Sequence, residues 1–197
     1  RNQWKGFQIL LRADAPVRGV SLIAGELRGP GNRILERSAL LYRQHQLFLD
    51  AGTYRNTEFK PDWYPDPLIP FAHPVAGKKL ERARVRAVPF DLPANETHGF
   101  WADLYVPTNA PAGEYRGVFR VAADQGPAVE VPVLLTVWDF SLPQVPTLIT
   151  EFGAPPRRLR SYCLQRAAEG KEPAPKDWAA VEAQCSQLLS EHRFNAS

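Results

Sequence analysis

The stretch GFWADLYVPTNAPAGEYRGVFRVAADQGPAVEVPVLLTVWDFSLP, residues 99–143, decides the fold of this chain. Three runs in it alternate apolar and largely polar residues, which is the period of a half-buried strand whose successive side chains point to opposite faces. We expect three apolar rows to face a core, namely Phe100, Ala102, Leu104 and Val106, then Tyr115, Gly117, Phe119 and Val121, and last Val129, Val131, Val133, Leu135 and Val137.

The segments between these runs have the composition of tight turns. Residues 109–113 contain Pro111, whose φ is fixed, and Gly113, which tolerates a positive φ; residues 124–127 contain a second Gly-Pro reversal. The pattern predicts an antiparallel three-strand meander with one apolar face. Because such a face needs a second layer over it, we expect that layer to come from the preceding sequence.

The preceding sequence supplies candidate strands. Alternation or apolar runs predict strands at 3–12, 17–27, 34–50 and 84–92, the third of them long or divided by a bulge. Residues 60–74 hold five prolines, and we predict an ordered irregular crossing there because proline cannot donate to a strand ladder. With 19 prolines, about twice average usage, the chain favours a mainly β architecture. The sequence predicts an antiparallel β-sandwich over residues 1–143.

After Pro143 the pattern changes. It predicts a short strand at 148–152 and helices at 158–168 and 176–193, and it suggests a second strand beginning at 194–197. A β-strand followed by helices and another strand belongs to a βα architecture rather than to a sandwich. We therefore expect a second, incomplete domain over residues 144–197. Its second helix carries an apolar stripe that needs a cover from the rest of the polypeptide or from another chain: Trp178, Val181, Leu188 and Leu189.

Composition argues against several function classes. The 24 basic and 21 acidic residues nearly balance and are mostly scattered, so we expect no nucleic-acid partner. No apolar run approaches the ~20 residues of a membrane span, and we expect no membrane span. The two cysteines and four histidines lack the spacing of metal ligands, so we expect no metal and no cofactor.

The sequence begins at Arg1 and contains no methionine. We therefore expect it to be a piece of a longer or processed protein. No signal peptide is visible in it, which leaves the compartment open, with secretion or export to a periplasm as one alternative.

Exposed aromatic rings point to one possible ligand. Trp63 and Tyr64 lie in the proline-rich crossing, and aromatic rings beside polar groups stack on the apolar C–H faces of sugars. The alternative, which we prefer, is that both rings cap the open end of the sandwich.

Several runs resemble a known family. NQWKGFQ at the start, YPDPLIPF, FWADLYVPTNAPAGEYRG and TVWDFSLPQVPTLITEFG are similar to the N-terminal part of glycoside hydrolase family 123 and of its bacterial relatives that share the domain called DUF4091. The resemblance implies a sandwich followed by a catalytic TIM-type β/α barrel whose first strand is 148–152. It also implies removal of terminal N-acetylgalactosamine by a substrate-assisted retaining mechanism that uses an adjacent Asp-Glu pair.

That pair has no counterpart here, because Asp and Glu are never adjacent in this sequence. We therefore assign no catalytic residue in this chain and expect a glycan substrate only through the full-length protein. Since reacting groups in such barrels follow the strands, Glu151 and Asn195 become candidate substrate-binding residues. For Glu151 the preferred alternative is an ion pair at the barrel rim. Two other classes stay open: a non-enzymatic carbohydrate-binding module and a structural Ig-like spacer.

Overall fold

A computed structural model describes residues 1–35, 39–52, 56, 58–73, 77–78, 80, 83, 85–150, 155–171 and 173–194. The chain divides into two compact units, Arg1–Leu142 and Pro143–Ser197. Within the described part of the first unit there are eight strands: β1 Gln3–Arg12, β2 Val17–Ile23, β3 Leu40–Leu49, β4 Asp62–Pro70, β5 Phe90–Leu92, β6 Thr97–Val106, β7 Gly113–Ala122 and β8 Val129–Val137.

These strands form two four-stranded antiparallel sheets. Sheet 1 has the order β1-β6-β3-β4, and sheet 2 has the order β5-β2-β7-β8. The apolar rows of the two sheets share one core, so the first unit is mainly β and sandwich-like. The predicted bounds of β1 agree with the structure. Three other predicted strands are shorter than expected among the described residues, since 17–27 yields β2, 34–50 yields β3 and 84–92 yields β5.

The predicted three-strand meander is wrong in its connectivity. β7 and β8 do form a hairpin, but β6 lies in the other sheet, where it pairs with β1 on one side and β3 on the other. Because both edges of β6 are occupied, β7 cannot join it. Residues 107–112 therefore cross between the layers, and Tyr115 holds this crossing through a hydrogen bond of 3.1 Å from its hydroxyl to the carbonyl oxygen of Pro111.

The core lies between the inner rows of β6 and β7. The inner row of β6 is buried as predicted, with Phe100 and Ala102 fully inaccessible, and Phe119 and Tyr115 of β7 are equally enclosed. Burial of the Tyr115 hydroxyl raises its pKa. The row of β8 is only partly buried because β8 is an edge strand, and its predicted core residue Val129 is 64% exposed. That assignment of Val129 was wrong.

The proline-rich segment is a strand and not the irregular crossing that its prolines predict. β4 pairs with β3, with Pro70 opposite Tyr42 and Pro65 opposite Gln46. It lies at the edge of sheet 1, where a missing N–H on the unpaired side costs no ladder bond. The register shifts between Gln44 and Gln46, so a bulge is present, and the extra residue belongs to β4.

The second unit contains two helices in its described residues, α1 Pro155–Ala168 and α2 Trp178–Glu191. Asp177 caps α2, because its carboxylate accepts a hydrogen bond of 3.0 Å from the backbone N–H of Ala180. Both predicted helices are present. The strand predicted at 148–152 is absent from 148–150, where no described strand of this unit offers a partner, and 151–154 lie outside the described residues.

The apolar stripe of α2 remains accessible in part. No residue of this helix is buried, and Leu188 is 38% exposed. The guanidinium of Arg160 on α1 lies 5.4 Å from the ring centre of Trp178, so a cation–π contact joins the two helices. Neither α1 nor α2 is long and apolar enough to cross a membrane.

Replacing Phe119 by alanine should test the central role of the β6–β7 packing. Removing a fully buried ring leaves a cavity, so we expect Phe119→Ala to lower the free energy of unfolding by about 3–5 kcal/mol. Urea unfolding followed by circular dichroism measures this loss. The matched change Val129→Ala on the exposed end of β8 should stay within about 0.5 kcal/mol, and equal losses in both variants would contradict this description of the core.

Candidate functional site

The outer face of sheet 1, the side away from the core, carries the main concentration of aromatic side chains in the described residues. The register places Trp4 opposite Tyr105 and Gln8 opposite Trp101, on rows that alternate with the core rows of β1 and β6. The rings of Trp4 and Tyr105 are 5.2 Å apart and tilted by 50°. We call this surface the aromatic face; its aromatic residues are Trp4, Tyr42, Phe48, Trp63, Trp101 and Tyr105.

Trp101 is fixed at the centre of the aromatic face. Its indole N–H donates a hydrogen bond of 2.7 Å to the Oδ1 atom of Asp103. Its ring lies directly over Gly6, where a Cβ atom would collide with the ring and approach Asp103. Gly6 is therefore needed for its lack of a side chain, and the indole plane is held close to the sheet.

A pair of amides lies beside Trp101. The Nε2 atom of Gln8 donates to the Oε1 atom of Gln44 over 3.2 Å, and Gln44 is only 6% exposed. Gly99 makes room for Gln44, since a Cβ atom there would collide with the amide oxygen. Planar rings next to amide groups and a carboxylate are a suitable surface for a sugar, which presents apolar C–H faces and hydroxyls at its rim.

Trp63 and Tyr64, the sequence-predicted sugar-binding residues, lie on β4 with their side chains on opposite faces. Trp63 is 62% exposed and forms an edge contact of 5.6 Å with Phe48, its neighbour across the strands. Tyr64 stacks on Phe59 at 5.8 Å and donates from its hydroxyl to the carbonyl oxygen of Lys60 over 2.8 Å. One sugar ring cannot stack on both. Only Trp63 shares the aromatic face with Trp101, through the alternation of β3.

The other two predicted substrate-binding residues, Glu151 and Asn195, lie outside the described residues. The residues that sequence reasoning missed are Trp4, Trp101 and Tyr105. They occupy the rows that a period of two assigns to solvent, and aromatic residues on those rows were the available signal.

A cationic cluster occupies one end of the core beneath sheet 1. Arg43 and His45 are on the inner row of β3, and the guanidinium of Arg43 lies 3.8 Å from the ring centre of Phe90. His98, 6% exposed, is next to them on β6, and its Nε2 atom is 3.0 Å from the Glu96 carboxylate. Burial foremost, and then the charges of Arg43 and His98, lower the pKa of His45.

The polar atoms of this cluster have few partners. No group of three or more His, Cys, Asp or Glu side chains in the described residues is placed to hold a metal ion. The Nδ1 atoms of His45 and His98 are buried without a hydrogen-bond partner in the described part of the chain. For His45, burial and the neighbouring charge of Arg43 favour the neutral form, so the stability of the protein should depend on pH.

Comparisons with known proteins identify the fold. No family model matches the sequence, and no curated protein matches it. Among solved structures, the chain is similar to a family 123 glycoside hydrolase from Clostridium perfringens, studied for glycolipid glycan hydrolysis, with a TM-score of 0.54 and 16% identity. The match covers 71% of this chain and 22% of that chain. At this identity the likeness shows the fold alone.

The contact between Gly6 and Trp101 can be tested by a double-mutant cycle. Gly6→Ala should force the indole away from Asp103 and cost about 1–3 kcal/mol of unfolding free energy through overpacking. In a Trp101→Ala background the same change should cost much less, because the ring is gone. Urea unfolding gives the free energies. If Gly6→Ala lowers the unfolding free energy equally in both backgrounds, the collision of the added Cβ atom with the Trp101 ring is not the cause.

The lowered pKa of His45 predicts a pH dependence. Because the unfolded chain binds a proton at His45 near the ordinary pKa of about 6.5 and the folded chain resists it, stability should fall as pH drops below about 6.5 and level off below the folded pKa. His45→Gln should flatten this fall. Urea midpoints at a series of pH values between neutral and mildly acidic measure it. His73→Gln is the control, and an unchanged slope in His45→Gln would refute the assignment.

Proposed function

We propose that this chain is the N-terminal part of a glycoside hydrolase related to family 123 and to the bacterial DUF4091 proteins. Its first unit would be the accessory sandwich, and residues 144–197 would begin the catalytic β/α barrel. The substrates would be N-acetylgalactosamine-type or related glycans. The observation that carries the proposal is the likeness of fold to the family 123 enzyme.

Three further features support this assignment. The sequence runs that resemble the family contain parts of β1, β4 and β6 in sheet 1 and the first half of β7 in sheet 2. The division of the chain at Leu142 follows soon after the last strand of sheet 2, and the described elements change there from strands to helices. The chain also corresponds to only 22% of the similar enzyme, which leaves most of such a protein for a catalytic domain.

The proposed chemistry requires two neighbouring acids. In a substrate-assisted hydrolase one carboxylate orients the acetamido group that attacks the anomeric carbon, and a carboxylic acid protonates the leaving oxygen. Since no adjacent Asp-Glu pair occurs in this sequence, we place those acids in the remainder of the proposed enzyme. Here the sandwich would brace the barrel, and Glu151 and Asn195 would follow its first strands.

A carbohydrate-binding module without catalysis is the second candidate function, and the aromatic face favours it. Trp63 exposes most of its ring, and Trp101 lies beside amide and carboxylate groups on the same face. Stacking of a sugar on such a surface needs no catalytic acid. This candidate predicts glycan binding by the chain itself, whereas the first candidate predicts activity only in a longer protein.

Activity measurements separate the two candidates. The purified 197-residue chain should not hydrolyse an aryl N-acetyl-β-galactosaminide, whereas the protein expressed from the full open reading frame should. The matched binding test is a glycan array with Trp63→Ala and the control Trp138→Ala, since both indoles are similarly exposed, at 62% and 68%. Turnover by the chain alone would contradict the first candidate. The second candidate would be established if the unmodified chain binds a glycan, Trp63→Ala loses this binding, Trp138→Ala keeps it, and the longer protein has no activity.

A further inference from the structure

The sandwich is open along one side, between the edge strands of its two sheets. β1 ends sheet 1 there and β8 ends sheet 2. The gap between them is a cleft of about 550 Å³, floored by Leu104 and Val106 of β6. This volume lies within the ~300–1,000 Å³ range of small-molecule sites. All residues that line the cleft belong to the first unit and to the described part of the chain.

The lining of the cleft is mainly apolar along its length. Its apolar residues include Phe7 and Ile9 of β1, Val131, Val133 and Val137 of β8, and the following Trp138 and Phe140. Gln3 and Lys5 continue the core-facing row of β1 towards Arg1, since Lys5 is opposite the buried Leu104 in the register. The apolar slot therefore carries one exposed cationic side chain of β1, Lys5, at its rim, which we call the mouth.

Lys5 and Arg1 are the basic side chains that line the cleft. Arg1, at the same end of the cleft, forms an ion pair with Asp139. Lys5 has no ion-pair partner among the described residues. A lysine on a core-facing row normally extends its apolar stem along the neighbouring side chains and keeps the ammonium at the surface. The mouth consequently offers the Lys5 ammonium, which has no ion-pair partner in the described part of the chain, beside an apolar slot.

We propose that this cleft binds a single-chain carboxylate amphiphile, a fatty-acid anion, with its alkyl chain between β1 and β8 and its carboxylate at Lys5. The alkyl chain would remove apolar surface of Phe7, Val131 and Val133 from water. The carboxylate would complete an ion pair with Lys5 at the partly solvated mouth. This inference does not depend on the proposed glycoside hydrolase function.

An added peptide strand fits the cleft less well. Pro132 of β8 has no N–H to donate to a new strand, and a charged residue such as Lys5 on an edge strand discourages pairing at a sheet edge. The two features oppose a polypeptide but leave the slot open to an alkyl chain, which needs no backbone hydrogen bonds.

Isothermal titration calorimetry with dodecanoate below its critical micelle concentration tests the proposal on the 197-residue chain. We expect saturable binding at one site, and binding at least about fivefold weaker for dodecyltrimethylammonium, which has the same alkyl chain and the opposite charge. Non-saturable uptake, or equal affinity for the two amphiphiles, would overturn the proposal. So would displacement of dodecanoate by an extended apolar decapeptide that binds more tightly.

Two variants locate the site. Lys5→Glu should weaken dodecanoate binding by roughly five- to tenfold, whereas Lys60→Glu, the same charge change at an exposed position near β4, should not. Val133→Trp should fill the slot and abolish binding, with circular dichroism as the check on its fold. If that variant does not fold, amide chemical shifts of the unmodified chain decide: dodecanoate should move signals of β1 and β8, and shifts confined to other strands would refute the site.

Discussion

The structure depends on the burial of two inner rows in one shared core, one from β6 in sheet 1 and one from β7 in sheet 2. These strands follow one another in sequence, yet they lie in opposite sheets. Phe100 and Ala102 from one and Tyr115 and Phe119 from the other are almost completely inaccessible. Each large apolar side chain removed from water contributes about 1.5–3 kcal/mol. The crossing at 107–112 therefore joins the two layers, and the remaining strands extend each layer on either side of these two strands.

The position of the aromatic face follows from the burial of the inner row of β6. Once Phe100 and Ala102 face inward, strand geometry turns Trp101 and Asp103 outward, and the pairing with β1 brings Trp4 and Gln8 to the same surface. A slip of one residue in the register would exchange the core and the aromatic face. Gly6 opposes such a slip locally, since only a residue without a Cβ atom fits beneath the Trp101 ring.

Alternation in the sequence was sufficient to predict which side chains of β6 and β7 are buried, and helical periodicity was sufficient to predict both helices. Alternation was not sufficient to predict which strands pair. A two-residue period indicates the face of the sheet on which a residue lies, but it does not indicate which strand is the neighbour. For the same reason β6 was predicted beside β7. The prolines of β4 were misleading because a proline loses a ladder hydrogen bond in a central strand but not on the unpaired side of an edge strand. Whether β4 is an edge strand depends on the order of strands in the sheet. Trp4, Trp101 and Tyr105 were missed because they occupy rows expected to be polar.

The aromatic face and the cleft between β1 and β8 both exist because the first unit is an open sandwich of two sheets. The aromatic face exists because sheet 1 is one layer of two, so its outer rows are free to carry rings instead of core residues. The cleft exists because neither sheet curls far enough for β1 to pair with β8, and two edge strands are left facing each other across an apolar gap. Proteins usually protect such edges with charges or prolines, and Lys5 and Pro132 have that character. A residue that prevents strand addition can also select a ligand, because the charge that excludes a peptide edge attracts a carboxylate. The protection of the edge and the chemistry of the cleft are therefore two effects of one lysine.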